Sequence, residues 1–158
     1  MPDIRQKPTT RPTNPFTAMT TELNSLAQNA GALSNTVIDS HAAGLIPNTD
    51  ELDLLCDLEL KAVFAAAPTD GQQLEVYFVP TFDGTNFATH TTGASSIGPK
   101  NMYVGSFIVA GTGTTQYLPL WDIDMPLTDF KALIINRAGA LAASGSILKV
   151  QAKRMQAI

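Results

Sequence analysis

The sequence predicts an all-β protein: an antiparallel β-sandwich, jelly-roll-like, of about eight strands with an extended N-terminal arm. Three observations carry this expectation. Residues 54–64 alternate apolar and polar with period two, the signature of a strand with one buried face. Further short apolar runs follow at regular spacing, separated by Gly and Pro turns. Between them lies no helical pattern long enough to build a βαβ unit.

The first stretch, residues 1–14, carries Pro2, Pro8 and Pro12 among Thr9, Thr10 and Thr13. With few apolar groups to offset its ordering entropy, it is expected to stay extended or unfolded until a partner holds it. The arm is assigned to residues 1–22 and the sandwich to residues 23–158. Asn14 before Pro15 has the form of a helix start, and Phe16, Met19, Leu23 and Leu26 fall near helical spacing. Thr17, Thr20, Thr21, Asn24, Ser25 and Asn29 are poor helix formers whose side chains compete for the backbone, so extended structure is expected from about Leu23. Residues 32–38, with Leu33, Val37 and Ile38, suit the next strand.

In the clearest run, Cys56, Leu58, Leu60, Ala62 and Phe64 point inward and Asp57, Glu59 and Lys61 outward. Pro68, Asp70 and Gly71 supply turn chemistry, after which Leu74, Val76 and Phe78 alternate with Glu75 and Tyr77 until Pro80. These two runs are expected to pair antiparallel. Asp83-Gly84 forms a turn, and residues 89–100 form a long polar loop containing His90. Strands are then expected over residues 102–110, 116–123, 130–136 and 146–153, with Gly111-Thr-Gly-Thr as a hairpin loop between the first two.

Composition narrows the function classes. Ten Lys and Arg against 14 Asp and Glu give a net charge of −4, so the chain lacks the positive field of a protein that neutralises many phosphates, and nucleic acid is not an expected partner. Charged residues are only 15% of the chain, which suits a surface that packs against neighbours. The arm is the exception: Arg5, Lys7 and Arg11 make it cationic against an acidic remainder, which favours docking on an acidic neighbouring surface. The N-terminus lacks the apolar segment of a signal peptide, and no run approaches a membrane span, so a soluble protein made in a cytoplasm is expected.

No catalytic constellation assembles. A Ser, His, Asp site would need His41 or His90 as base; each lies in a polar segment without a nucleophile motif. The lone Cys56 excludes a Cys-rich zinc site and reads as a buried thiol. Asp57 with Glu59, and Asp122 with Asp124, share strand faces, but nothing near them signals a sugar cleft or a calcium loop. The Gly111 loop lacks the Lys and the strand-to-helix setting of a phosphate loop. Tyr117 and Trp121 share one strand face, for which core packing is expected. No enzyme, cofactor or metal is expected.

Leu58-Glu-Leu, Gly71 on to Glu75-Val-Tyr-Phe-Val-Pro, Asp83-Gly-Thr-Asn-Phe, Phe130-Lys-Ala-Leu-Ile-Ile-Asn-Arg and Ala142-Ala-Ser-Gly together resemble a family of small virion proteins of tailed bacteriophages, over roughly residues 50–155. The resemblance implies a virion structural protein assembled in the host cytoplasm, with a capsid decoration, or cement, protein as the leading expectation. Its partners would be the major capsid protein and copies of itself, as a trimer. The interface expected from the arm comprises Ile4, Arg5, Lys7, Arg11 and Phe16, which would add strand hydrogen bonds and an apolar anchor to a neighbour's edge. The alternatives are a head-to-tail or tail component, and a carbohydrate-binding host-attachment module using Tyr103, Phe87 or Trp121. Buried rings with an exposed strand edge would favour assembly; coplanar exposed rings would favour sugar.

Overall fold

The period-two alternation becomes strand structure along most of the chain. The computed structural model describes residues 6–10, 16–35, 45–48, 53–94 and 96–157, with the backbone alone for 6–10, 16 and 154–157. Nine strands lie among them: β1 (Gln6–Thr10), β2 (Phe16–Met19), β3 (Gly31–Leu33), β4 (Leu55–Val63), β5 (Gln73–Pro80), β6 (Tyr103–Ile108), β7 (Thr115–Asp124), β8 (Phe130–Asn136) and β9 (Ile147–Ala157). Two short 3₁₀ turns, Thr21–Leu23 and Lys100–Met102, are the helical elements among the described residues, and no helix there is long and apolar enough to cross a membrane.

One sheet has five strands, in the order β1-β9-β4-β7 with β2 also on β9; the other has four, in the order β3-β8-β5-β6. All pairings are antiparallel, and they nest: β5 with β6, β4 with β7, β3 with β8, β2 with β9. The chain is therefore one long hairpin with β5 and β6 at its tip. It is rolled up so that β4 also meets β9 and β5 also meets β8. Nested pairing rolled in this way is a jelly roll, the architecture read from the sequence.

Between the sheets, Leu58 and Leu60 of β4, Leu74 and Val76 of β5, Ile134 of β8 and Leu148 of β9 are fully buried in one core. Each such side chain contributes about 1.5–3 kcal/mol relative to exposure. Phe78 and Phe130 add a ring pair with centroids 4.5 Å apart. β5 and β8 bury their other face too: Tyr77, Val79, Leu133 and Ile135 form a second cluster beneath Phe87, Ala88 and Met102. The segment leading from β5 to β6 thus lies over the outside of the four-stranded sheet. Arg137 holds it there, donating to the Ser96 carbonyl at 3.0 Å while pairing with Glu75 at 3.3 Å.

Three local expectations are corrected. β4 and β5 were expected to pair, yet they lie in different sheets. Alternation marks one buried face per strand, a condition met equally by neighbours in one sheet and by strands facing each other across the ~10 Å gap of a sandwich. For the same reason the Gly111 loop carries the chain from β6 in one sheet to β7 in the other and does not close a hairpin. Finally, Leu23 does not begin extended structure. Glu22 turns the chain there, its carboxylate accepting the N–H of Thr20 at 2.9 Å and of Asn35 at 2.6 Å. The next strand begins at Gly31 and is described to Leu33; Val37 and Ile38 lie outside the described residues.

Among the described residues the N-terminal segment forms two strands, β1 and β2, and both are paired within their own chain. β1 and β2 run in succession along the edge of β9 opposite β4, with Thr10 across from Lys153 and Phe16 across from Val150. A free strand edge offers a row of unsatisfied backbone donors and acceptors, and the arm satisfies them.

Candidate functional site

Alternation that sends Leu58, Leu60, Leu148 and Val150 inward sends a polar set outward on the five-stranded sheet. Asp57 and Glu59 on β4 stand beside Gln151 and Lys149 on β9, residue for residue in the ladder. On the other side β7 presents Tyr117 across from Lys61 and Pro119 across from Glu59. Pro119 is tolerated because β7 is an edge strand, with one flank that needs no donor.

The ladder then breaks. Leu58 faces Leu120 but Cys56 faces Ile123, so Trp121 and Asp122 together oppose Asp57. This is a β-bulge, and Asp122 takes a left-handed φ of 53° within it. Asp57 pins the bulge by accepting the Asp122 backbone N–H at 3.0 Å. Lys153 clamps it from β9, its Nζ 2.6 Å from Asp57 Oδ1 and 2.8 Å from Asp122 Oδ1. Partial desolvation disfavours the Lys153 charge, but its hydrogen bonds to Asp122 and Asp57 outweigh this and hold the ammonium above its ordinary range.

The result is a shallow groove of about 250 Å³ with Trp121 as one wall and Asp57, Glu59, Lys149 and Gln151 around it. Lys149 lies 3.6 Å from Glu59, so both carboxylates have a lysine partner. Trp121 is 65% exposed and Tyr117 64%, which overturns their expected burial in the core. They do share one face of β7, as expected. That face is the outer one because Leu118 and Leu120 pack on the core, and their parity was the signal available in the sequence.

The other candidates fall as follows. Lys7 lies in β1 opposite Gln156, and Phe16 opens β2 opposite Val150. Ile4, Arg5, Arg11 and His41 lie outside the described residues. His90 has its Nδ1 2.8 Å from the Ala88 carbonyl. Cys56 is buried, and burial pushes its thiol up to about 12. Phe87 is packed in the second cluster under the Lys131 ammonium, 5.0 Å from its ring centre, and offers no open platform. Tyr103 is 52% exposed and meets Tyr77 edge-on. Among the described residues no group of three or more His, Cys, Asp or Glu could hold a metal ion. Comparison with known protein-family models, curated proteins and solved structures finds no match to this chain.

Proposed function

We propose that this chain is a structural subunit of a tailed-phage particle, a capsid decoration protein, that joins neighbouring copies through its N-terminal segment. The observation that carries the reading is a register. β4 accompanies β9 only as far as Leu55 opposite Lys153, whereas β1 continues along it to Gln6 opposite Ala157. Past that point β1 is the only strand on β9 among the described residues. A two-stranded ribbon is marginal by itself and gains from a further surface. The Lys153 ammonium is taken up by Asp57 and Asp122, and beyond it residues 6–10 and 154–157 hold Lys7 and Arg154 and no acidic residue, while the whole chain carries −4. A basic ribbon on an acidic body is complementary to a second copy of the same body.

Pairing in cis also makes exchange cheap. The hydrogen bonds β1 makes to its own β9 are those it would make to a neighbour's, so a swapped arm loses none of them. The resemblance of residues 50–155 to small virion proteins supports the same role, as does the low charge of the surface.

Light scattering coupled to size exclusion tests this on the full chain and on a form lacking residues 1–14. A discrete oligomer, trimeric on this reading, that falls to monomer on truncation is expected, with weaker association of Lys7→Glu at low salt. A full-length monomer, or an oligomer indifferent to truncation, overturns the arm mechanism.

A further inference from the structure

We propose that the Trp121 groove is a binding site for neutral glycan chains, distinct from the terminal ribbon. An indole left 65% exposed at a pinned bulge is an expensive thing to show to water, and its position is fixed by the Asp57 and Lys153 contacts to Asp122. Pyranose rings are the ligands whose surface matches it: one face of C–H groups to lie on an aromatic plane, and a rim of hydroxyls seeking paired donors and acceptors. The groove supplies that rim. Glu59 with Lys149, and Asp57 beside Gln151, each set an acceptor next to a donor, the arrangement that engages two adjacent hydroxyls.

Charge decides against other occupants. The carboxylates of Asp57, Asp122 and Glu59 are met by only Lys153 and Lys149, which leaves one negative charge at the groove and disfavours an anionic polymer. Its volume of about 250 Å³ is that of a sugar unit or two rather than a folded partner. Tyr117, four residues before Trp121 on the same outward face, stands about 13 Å away along the strand. Two exposed rings at that spacing suit a chain of several sugars lying along β7. The groove lies over β4, between Trp121 of β7 and Lys149 and Gln151 of β9, whereas β1 pairs with β9 only from Lys153 onward.

Trp121 is the only tryptophan, so its emission reports the groove alone. The full chain is titrated with neutral tetramers of glucose, mannose, galactose and N-acetylglucosamine, with tetragalacturonate as the charged control. At least one neutral tetramer is expected to shift the Trp121 emission saturably, at concentrations between about 10 μM and 1 mM. Calorimetry should find that binding weakened at least tenfold in Trp121→Ala and about threefold in Tyr117→Ala, with the melting temperature and oligomeric state of both variants unchanged. The proposal is overturned if no neutral tetramer binds at 5 mM, if Trp121→Ala binds as well as the parent, or if only the acidic tetramer binds and salt removes it.

Discussion

Gly98 lies flat against the ring of Tyr77, so close that a Cβ on Gly98 would fall 2.3 Å from the ring carbons. Tyr77 cannot retreat, because its hydroxyl is bonded to Glu75 at 3.0 Å and its ring belongs to the cluster beneath the covering segment. Gly98→Ala should therefore lift residues 96–99 from the sheet and cost about 3 kcal/mol, at the upper end for overpacking. For a chain of this length that is a fall in Tm of roughly 6–12 °C. Thermal melting checks it, and near-ultraviolet circular dichroism should show the tyrosine signal weakened.

Asn136 supports a different loop. Fully buried, its amide donates to the carbonyls of Leu26 at 3.0 Å and Gly139 at 2.9 Å, while its side-chain oxygen accepts the Ala138 N–H at 2.9 Å. Asn136→Ala would strand the Gly139 carbonyl and the Ala138 N–H, while the Leu26 carbonyl keeps the Leu141 N–H at 3.0 Å. A loss of about 3 kcal/mol is expected in urea unfolding. Asn136→Asp, which keeps the acceptor and loses the donors, should be no better at neutral pH.

These two positions also show what could be read in the sequence. Alternation in residues 55–63 and 73–80 exposed the strands and the inward set directly, because one buried face per strand writes itself in period two. It could not say which strand pairs with which, since Leu58 and Leu74 are equally buried whether their strands are neighbours or face each other. The covering segment escaped notice because its 81–102 residues look like an ordinary polar loop. The signal lay opposite it, in Tyr77-Phe-Val and Leu133-Ile-Ile, where unbroken apolar runs mark strands buried on both faces. The bulge beside Trp121 was hidden for a similar reason: one extra residue reverses the face of everything beyond it, here from Ile123 on, and only the register reveals where it sits.

Stability should fall at alkaline pH. Burial pushes the Cys56 thiol from about 9 up to about 12, helped by the Asp57 charge and opposed by Lys153. Burial and the hydrogen bond to Glu75 push Tyr77 from about 10 up to about 12. In each case the folded protein favours the protonated form, so the contribution is complete below the unfolded pKa and is lost as pH rises toward the folded one. Urea midpoints should be level from pH 7 to 8.5 and decline progressively above pH 9. Tyr77→Phe should flatten the part of the decline above pH 10, and iodoacetamide at pH 8 should leave native Cys56 unlabelled.

The last prediction concerns the clamp on the bulge. Asp57 receives both the Asp122 N–H at 3.0 Å and the Lys153 ammonium at 2.6 Å, and its side chain and that of Lys153 are mostly covered, at 15% and 18% exposure. Screening by solvent is thus weaker than for a surface pair, and Asp57→Ala should cost about 1–2 kcal/mol. Asp57→Asn keeps an acceptor for the N–H while losing the charge, and should cost about half as much. Neither change touches the core, so the more telling readout is Trp121 itself. Released from its bulge, the indole should show lower emission anisotropy in Asp57→Ala than in the parent at unchanged oligomeric state. An unaltered anisotropy would mean that the β7 backbone, with Pro119 two residues upstream, holds Trp121 without the carboxylate.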